Sequence, residues 1–401
     1  MISYEQALQT VLENVHVLRP ERRSILKGTG RACAPPNFLL GAACVLIVAA
    51  LTVLAPVGGL QARELTDIFG RRIAVPDRIR HAWATSPPAT YMLYAMDPGV
   101  LAGLNTPVRE WERNYFRRDI QQLPVLGGWY GQGNVPNIEM VLKVNPEIII
   151  ATSLNSSMEE RKSRTLRDVP IPVVGVKMER LSDYPDAFTF LGEALGRRER
   201  GKKLSDYARK TIGKMSAIVE AVPPRQRVSV YYAEAEDGLS TACHGSMHAE
   251  LIALAGGRNV HRCPAKDVYG MEKVSMEQVL LYDPEVILVF EPLFFKGIFS
   301  DPRWRQIRAV KERKVYLIPR QPFNWFDRPP SFMRLLGLTW LTNLLHPDLY
   351  PVDIVKETQA FFRLFLGIDL TGREAMEIIH PRGDVSGHGT GITGHRPHRT
   401  R

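Results

Sequence analysis

The feature that most constrains this chain is a short segment that occurs twice. The first copy is IEMVLKVNPEIII at residues 138–150, and the second is MEQVLLYDPEVIL at residues 276–288. Proline disfavours the α conformation of the residue before it, so a helix in each copy should end at Asn145 or Asp283. The branched apolar run after each proline is typical of a strand covered on both faces. The repeat therefore predicts two similar α/β lobes.

The residues before the first lobe predict export from the cytoplasm. The 20 residues at 38–57 carry no charge, follow five basic residues and precede the small-residue sequence GGLQA. This pattern is typical of a signal peptide cleaved after Ala62, although 20 apolar residues could also span a bilayer as an uncleaved anchor. Either alternative gives a periplasmic or otherwise extracytoplasmic protein. Residues 1–37 are an atypical extension, and residues 1–35, which begin MISYEQALQTVLENV, resemble the amino terminus of molybdopterin molybdenumtransferases.

The charge of the chain does not predict a nucleic-acid partner. The formal net charge is +10, but the basic residues are scattered and form no run interleaved with aromatic residues. A hydrophobic content of 45% over 401 residues is enough for two or three domains with a substantial core.

A long helix divides the remaining chain. Helical periodicity runs over residues 197–222 and stops before two prolines, which predicts one helix joining an amino-terminal α/β lobe at 63–196 to a carboxyl-terminal α/β lobe at 223–380. The segment GVLAGLN at residues 99–105 predicts a strand of the first lobe. Residues 381–401 have no apolar periodicity and should form a disordered tail.

Five features follow one another along residues 64–370: the segment TDIFGRRIAVP, the first repeat copy, the joining helix, the segment ELIALAGGRNV and the second repeat copy. In this order and spacing they resemble the periplasmic substrate-binding proteins of ABC importers for iron-siderophores, haem and vitamin B12. The resemblance implies the class III architecture: two Rossmann-like lobes, a single long rigid helix between them, and a ligand cleft between the lobes. It also implies a partner, an ABC permease in the inner membrane with its ATPase.

The same resemblance gives the repeated glutamates a role. In this family a glutamate of each lobe pairs with arginines of the permease, and the matching positions are Glu139 and Glu277. Two such points would set the orientation of docking and speed encounter more than they add affinity. The alternative is that each carboxylate only stabilises the helix that it begins, by roughly 0.3–1 kcal/mol.

Nine residues on predicted loops and strand ends are candidate ligand contacts. Aromatic faces with a few charges suit a bulky planar or chelated ligand. The candidates are Trp129, Tyr130, Tyr232, Glu234, His244, Tyr269, Trp325, Asp327 and Arg328. Trp129 and Tyr130 match the place where a family member has a ligand-stacking tryptophan. Ordinary core packing is the alternative for each aromatic residue.

The histidines and cysteines predict no resident metal and no covalent cofactor. His244 and His248 could share a helix face as metal ligands, with a structural histidine as the alternative. Cys243 and Cys263 either pair in an oxidising compartment or remain two buried thiols, and they lack the spacing of a zinc site.

Guanidinium groups of the long loop before the first repeat suit a carboxylate-bearing siderophore or an oxyanion. They belong to Arg109, Arg113, Arg117 and Arg118. The resemblance implies a protein that captures an iron-siderophore or related metal chelate, such as haem or cobalamin, and delivers it to a permease. The alternatives are a molybdate- or tungstate-binding protein of the same fold and a chelatase-like metal-cofactor enzyme on a similar scaffold. An enzyme is disfavoured because the sequence has neither a dinucleotide-binding loop nor a nucleophile elbow.

Overall fold

The computed structural model describes residues 62–130, 134–152, 164–263 and 271–381. All of these residues belong to one compact unit. The predicted extension, the signal or anchor before Ala62, Tyr269 and the tail after Pro381 lie outside the described residues. Within the described residues, no helix combines the length and the apolar character needed to span a bilayer.

The first lobe is built on a parallel sheet. Its strands are β1 (Ala62–Thr66), β2 (Arg72–Pro76), β3 (Ala82–Ala84), β4 (Ile148–Thr152) and β5 (Val173–Val176). Its helices are α1 (Pro87–Met96), α2 (Arg118–Gln121), α3 (Ile138–Val144) and α4 (Tyr184–Ala194). The sheet has the order β3-β4-β5, whereas β1 and β2 form a separate antiparallel pair. Ile148 and Ile150 enter one apolar cluster and Ile149 enters another, because successive side chains of a strand point to opposite faces.

The helix predicted at residues 197–222 is present as α5 (Arg198–Glu220). Its 23 residues give a length of about 34 Å at 1.5 Å per residue. Leu204, Ala208 and Met215 are buried along one side of it. This helix follows the first lobe directly and leads into the second, so it is the joining helix that the sequence indicates.

The second lobe repeats the parallel arrangement. Its strands are β6 (Ser229–Ala233), β7 (Ser240–Thr241), β8 (Arg258–Asn259), β9 (Glu272–Lys273), β10 (Val286–Val289) and β11 (Val315–Leu317). Its helices are α6 (Glu250–Leu254), α7 (Met276–Tyr282), α8 (Pro292–Gly297), α9 (Arg308–Lys311), α10 (Met333–Leu345), α11 (Ile354–Leu366) and α12 (Gly372–Ile379). The four-stranded sheet has the order β11-β10-β6-β8, and β7 pairs with β9 apart from it. The prediction of two α/β lobes joined by one helix is confirmed.

The last helices of the chain also contact the first lobe. Phe365 of α11 lies 5.9 Å from Phe188 of α4 and 5.3 Å from Tyr207 of α5, measured between ring centroids. The Arg200 guanidinium donates to the carbonyl oxygens of Ala95 at 2.7 Å and Phe365 at 3.4 Å. One apolar cluster therefore runs across both lobes and the joining helix. The exact domain boundaries given above stay a prediction.

Both copies of the repeat adopt the predicted helix, stop and strand. Asn145 and Asp283 end α3 and α7 in the left-handed conformation, with φ of 51° and 34°. The glutamate after each proline has a structural role that the sequence did not reveal. Glu147 accepts the backbone N–H groups of Arg80 and His81 just before β3. Glu285 does the same for Ser229 at the start of β6, at 2.8 Å.

The strand predicted at residues 99–105 is wrong. Pro98–Val100 is a short 3-10 helix, and the following residues make only isolated bridges, from Leu101 to Ala82 and from Leu104 to Val125. Gly103 lies so close to the neighbouring chain that a Cβ on it would stand 2.5 Å from the Leu126 side chain. Close crossing of two loops therefore replaces a regular ladder here.

Candidate functional site

The carboxyl ends of the parallel strands carry polar side chains in both lobes. In the first lobe, Ser86 follows β3 and its hydroxyl lies 2.9 Å from that of Thr152, the last residue of β4. In the second lobe, Glu234 follows β6 directly and Arg320 stands three residues after β11. Open α/β sheets bind ligands outside these strand ends, so we take this region, where the lobes face each other, as the candidate site.

A tryptophan with one arginine from each lobe marks the site. Trp111 lies in the 3-10 helix Glu110–Tyr115 of the first lobe and is 37% exposed. The guanidinium carbon of Arg109 is 5.3 Å from the centroid of its ring, and that of Arg320 is 5.1 Å away. Within the described residues, neither guanidinium makes an ion pair or a side-chain hydrogen bond. Two such groups beside one ring can bind an anion and stack on the aromatic face at the same time.

Burial shifts the pKa values of two charged side chains near Trp111. Desolvation lowers the pKa of the half-buried Arg320, and it raises the pKa of the Glu112 carboxyl, which accepts the backbone N–H of Arg109 at 2.9 Å. A partly desolvated guanidinium interacts more strongly with an anion than one in water does. The sequence pointed to Arg109 but not to Arg320 or Trp111. Arg320 could have been found from its place after the strand VYLIP.

A buried polar cluster lies in the second lobe at the end of β6. The Glu234 carboxylate accepts a hydrogen bond from Arg328 Nε, and His248 Nδ1 is 2.5 Å from Asp327 Oδ2. Burial raises the pKa of Glu234 to about 7, although Arg328 opposes this shift. Within the described residues, Glu234 Oε2, His248 Nε2 and Asp327 Oδ1 have no hydrogen-bond partner. Because buried polar atoms are normally paired, these three atoms are candidates for hydrogen bonds to water or to polar atoms of a ligand.

The structure places the predicted aromatic candidates at different depths. Trp129 and Trp325 are fully buried; Trp129 packs on Trp83 at 6.4 Å, and Trp325 Nε1 donates to the carbonyl of Gln321 at 3.0 Å. Tyr232 is also buried, with its ring 4.7 Å from Phe326. Tyr130 is half-buried. Core packing accounts for the three buried rings, and the assignment of all these residues to a ligand stays a prediction.

The predicted polar candidates separate into two groups. Glu234, Asp327 and Arg328 come together in the buried cluster described above. His244 is exposed and lies apart from them, with Nδ1 3.4 Å from the backbone N–H of Cys263. Of the loop arginines other than Arg109, Arg117 pairs with Asp119 at 2.5 Å and the two others are exposed.

A network around Glu250 joins the two lobes beside the site. Its carboxylate accepts the backbone N–H of Leu181 at 2.7 Å and a guanidinium N–H of Arg334 at 2.5 Å, and it lies 3.4 Å from Arg180 Nη1. Leu181 and Arg180 precede α4 in the first lobe, whereas Glu250 and Arg334 belong to the second. A second contact between the lobes is the ring of Tyr91, which stacks on Phe323 with centroids 3.7 Å apart. These contacts hold the lobes at fixed points, which limits how far the cleft can open.

The two repeated glutamates are exposed. Glu139 lies in the first turn of α3 and Glu277 in the first turn of α7. The backbone N–H of this turn and the Ser275 hydroxyl lower the pKa of Glu277, as the helix-stabilising alternative also requires. Exposure leaves both carboxylates open to a partner, and their role in docking stays a prediction.

Comparisons with known proteins identify one matching family and several similar proteins. A family model described as periplasmic binding protein matches residues 114–322. The molybdate-binding protein MolA of Haemophilus influenzae is 25% identical over 350 residues, which cover 80% of this chain and 95% of that protein. The vitamin B12-binding protein of Vibrio cholerae is 24% identical over 193 residues, or 48% of this chain and 66% of that protein. A solved ABC transporter solute binding protein from Sulfurospirillum deleyianum has a TM-score of 0.75 and 37% identity, over 79% of this chain and 98% of that one.

Proposed function

The chain belongs to the periplasmic binding protein family, and from this premise we propose that it captures a metal chelate in the cleft, through an anionic group of that chelate, and delivers it to an ABC permease. The observation that carries the proposal is the meeting of Arg109 and Arg320, from opposite lobes, at Trp111. An anion bound there would be held by both lobes at once. Such a ligand would therefore stabilise the closed arrangement of the lobes that a permease can recognise.

The proposed cargo is an iron-siderophore or a related metal chelate such as haem or cobalamin. Carboxylate groups of a chelate suit bidentate guanidinium contacts, and the ring of Trp111 suits its apolar surface. The relative from Vibrio cholerae is named for vitamin B12, a metal chelate.

Molybdate or tungstate is the second candidate. The relative named for molybdate matches 80% of this chain, a larger share than the 48% matched by the vitamin B12 relative. The arginine pair also suits a small oxyanion, which needs charge and hydrogen bonds rather than a wide aromatic surface.

We propose that the chain binds without catalysis and acts outside the cytoplasmic membrane. The relatives reported above are binding and solute-binding proteins, and their family is periplasmic. We further propose that the apolar segment before Ala62 directs export, as a cleaved signal or as an anchor. Turnover of a tetrapyrrole or another chelate by the purified protein would contradict the proposal and favour the chelatase-like enzyme.

Titration of protein starting at Arg63 tests the cargo. The panel is a ferric siderophore, ferric citrate, haem, cobalamin, molybdate and tungstate, each followed by tryptophan fluorescence. We expect Arg320→Gln to weaken binding at least about tenfold, since charge-assisted hydrogen bonds contribute about 1.5–3 kcal/mol and 1.4 kcal/mol is a factor of ten. The matched control is Arg313→Gln, because Arg313 stacks on Phe299 at 4.9 Å outside this site.

Two outcomes would change the assignment. A response to molybdate or tungstate without any response to a chelate replaces the first candidate with the second. Equal affinities of Arg320→Gln and the wild type for the responding ligand would show that the site is not at Trp111.

A further inference from the structure

Two cysteines and a glutamate meet at the edge of the second lobe, apart from the residues assigned to the cleft. Cys243 lies shortly after β7, and Glu272 lies in β9, which pairs with β7 through Thr241. Cys243 and Cys263 form a disulfide, with their Cα atoms 5.7 Å apart. The two sulfur atoms and a carboxylate oxygen of Glu272 all lie within 4.8 Å of one another.

Two histidines lie next to this cluster, each beside one of its members. His244 Nδ1 lies 3.6 Å from Cys243 Sγ, and Glu272 Oε1 lies 3.4 Å from Cys263 Sγ. The other carboxylate oxygen of Glu272 is 3.0 Å from His261 Nε2. A carboxylate oriented by a histidine in this way keeps its second oxygen directed at the sulfur atoms. Two sulfur atoms and one carboxylate oxygen therefore lie together, and the His244 nitrogen lies beside one of the sulfur atoms.

We propose that the reduced protein binds one thiophilic divalent metal ion, such as Zn²⁺, through Cys243, Cys263, Glu272 and His244, with His261 as a positioning residue. A tetrahedral zinc ion with bonds of about 2.0–2.3 Å holds its ligand atoms about 3.3–3.8 Å apart. The distances of 3.4 Å and 3.6 Å already match this spacing. Once the disulfide is broken, side-chain rotation can separate the two sulfur atoms to the same distance.

The disulfide and the metal ion exclude each other, so the site responds to redox conditions. A dithiol reductant exchanges with the disulfide, supplies two electrons and two protons, and is itself oxidised to a disulfide. Metal binding then releases the two thiol protons, because the thiolate is the ligand. In both states Cys263 is tied to Cys243, by the disulfide or through the metal ion, and the metal ion would also tie Glu272 of β9. The β7–β9 pair leads through Ser275 into α7, the helix that carries Glu277.

Cobalt substitution tests this site. Protein starting at Arg63 is reduced with dithiothreitol, freed of reductant without oxygen, and titrated with Co²⁺. We expect the near-ultraviolet absorption of a cobalt–thiolate bond at one ion per chain, its loss on addition of Zn²⁺, and no such band in the oxidised protein. The thiolate band separates this site from histidines elsewhere in the chain, including those after residue 381.

Variants assign the ligands. Cys263→Ser should remove the band, and His244→Ala should weaken Co²⁺ binding at least about tenfold, since loss of even an outer-sphere partner costs 10–100-fold in metal affinity. His81→Ala is the control, because His81 is exposed like His244 but lies in the first lobe.

Three results would overturn the proposal. The first is a reduced, folded protein with two free thiols that shows no cobalt–thiolate absorption. The second is an equal effect of His244→Ala and His81→Ala. If reduction unfolds the chain, Zn²⁺ should restore the folded circular dichroism spectrum of the reduced protein, and failure to do so would be the third.

Discussion

The carboxylate of Glu234 lies in an environment that opposes its charge. It is fully buried at the end of β6, and burial raises its pKa to about 7 despite the hydrogen bond from Arg328. The folded state therefore holds a proton on this residue between about pH 4.5 and pH 7, whereas the unfolded chain has lost it. Stability must fall across this window as pH rises, because the folded state binds more protons there.

Replacing Glu234 by glutamine should remove this part of the pH dependence. The free energy of unfolding of the wild type, minus that of Glu234→Gln, should decrease between pH 4.5 and pH 7.5 by at most about 3 kcal/mol, at 1.36 kcal/mol per pKa unit. Urea unfolding at a series of pH values measures this difference.

The control for this prediction is Glu285→Gln. Hydrogen bonds from Ser229, with Arg308 nearby, lower the pKa of Glu285 although burial opposes them. Its contribution to stability is therefore present above the unfolded pKa and lost as the pH falls through the folded value, so its profile should be flat between pH 5 and pH 7.5 and should change only below about pH 4.5, where stability falls as the pH falls. A flat difference for Glu234→Gln between pH 5 and pH 7.5 would contradict the account of the buried cluster.

At the scale of elements, α5 approaches α4 through two glycines. A Cβ placed on Gly201 would stand 2.6 Å from the carbonyl oxygen of Phe188 and 2.7 Å from the Cα of Gly192. The backbones of the two helices thus come close at this crossing. Gly213 of the same helix is exposed, and a Cβ there would meet no atom within 4 Å.

Alanine at these two glycines should have opposite effects. Gly201→Ala should destabilise the protein by about 1–3 kcal/mol, because the new methyl group overpacks a contact with backbone atoms. Gly213→Ala should stabilise it by about 0.5–1 kcal/mol, because alanine has the higher helix propensity. Chemical denaturation of each variant measures the change in its free energy of unfolding relative to the wild type. Similar effects of the same sign would mean that the helices are not in close contact at Gly201.

The elements that the sequence predicts best are those with a local signal. The proline after Asn145 and Asp283 is enough to end a helix, and the periodicity of α5 extends over 23 residues. By contrast, the segment around Gly103 has the composition of a strand, but its contact with Leu126 is decided by a loop about twenty residues later. No pattern in the residues next to Gly103 predicts such a contact.

The candidate site was harder to predict for the same reason. Glu234 follows a predicted strand and Arg328 lies on a predicted loop, and the structure joins them by a hydrogen bond, while their contact with a ligand stays a prediction. The burial of Trp129 and Trp325 could not be predicted, because whether an aromatic residue on a loop is buried depends on its tertiary neighbours. The pairing of Arg320 with Trp111 crosses the two lobes, so neither segment alone predicts it.

At the scale of the whole molecule, the two lobes are tied at several points around the cleft. Glu250 joins them by hydrogen bonds, Tyr91 stacks on Phe323, and Tyr115 Oη lies 3.1 Å from Gln321 Oε1. With α5 and the last helices packed along both lobes, large hinge motion would break many buried contacts. We expect the permease to recognise the ligand-bound protein as one rigid body. Delivery should therefore not depend on a wide opening of the cleft before docking.

That recognition should be lost when both repeated glutamates are removed. Glu139 and Glu277 are exposed in the first turns of matching helices, one in each lobe. A permease that contacts both carboxylates therefore binds only when the two lobes are at the right distance from each other. The double variant Glu139→Ala/Glu277→Ala should abolish uptake of the cognate ligand by cells while the affinity of the purified protein stays unchanged. Glu199→Ala is the control, because Glu199 is also an exposed glutamate in the first turn of a helix, α5, and should share only the helix-stabilising effect. If the double variant supports normal uptake, or if it loses ligand affinity, the two carboxylates do not form a docking pair.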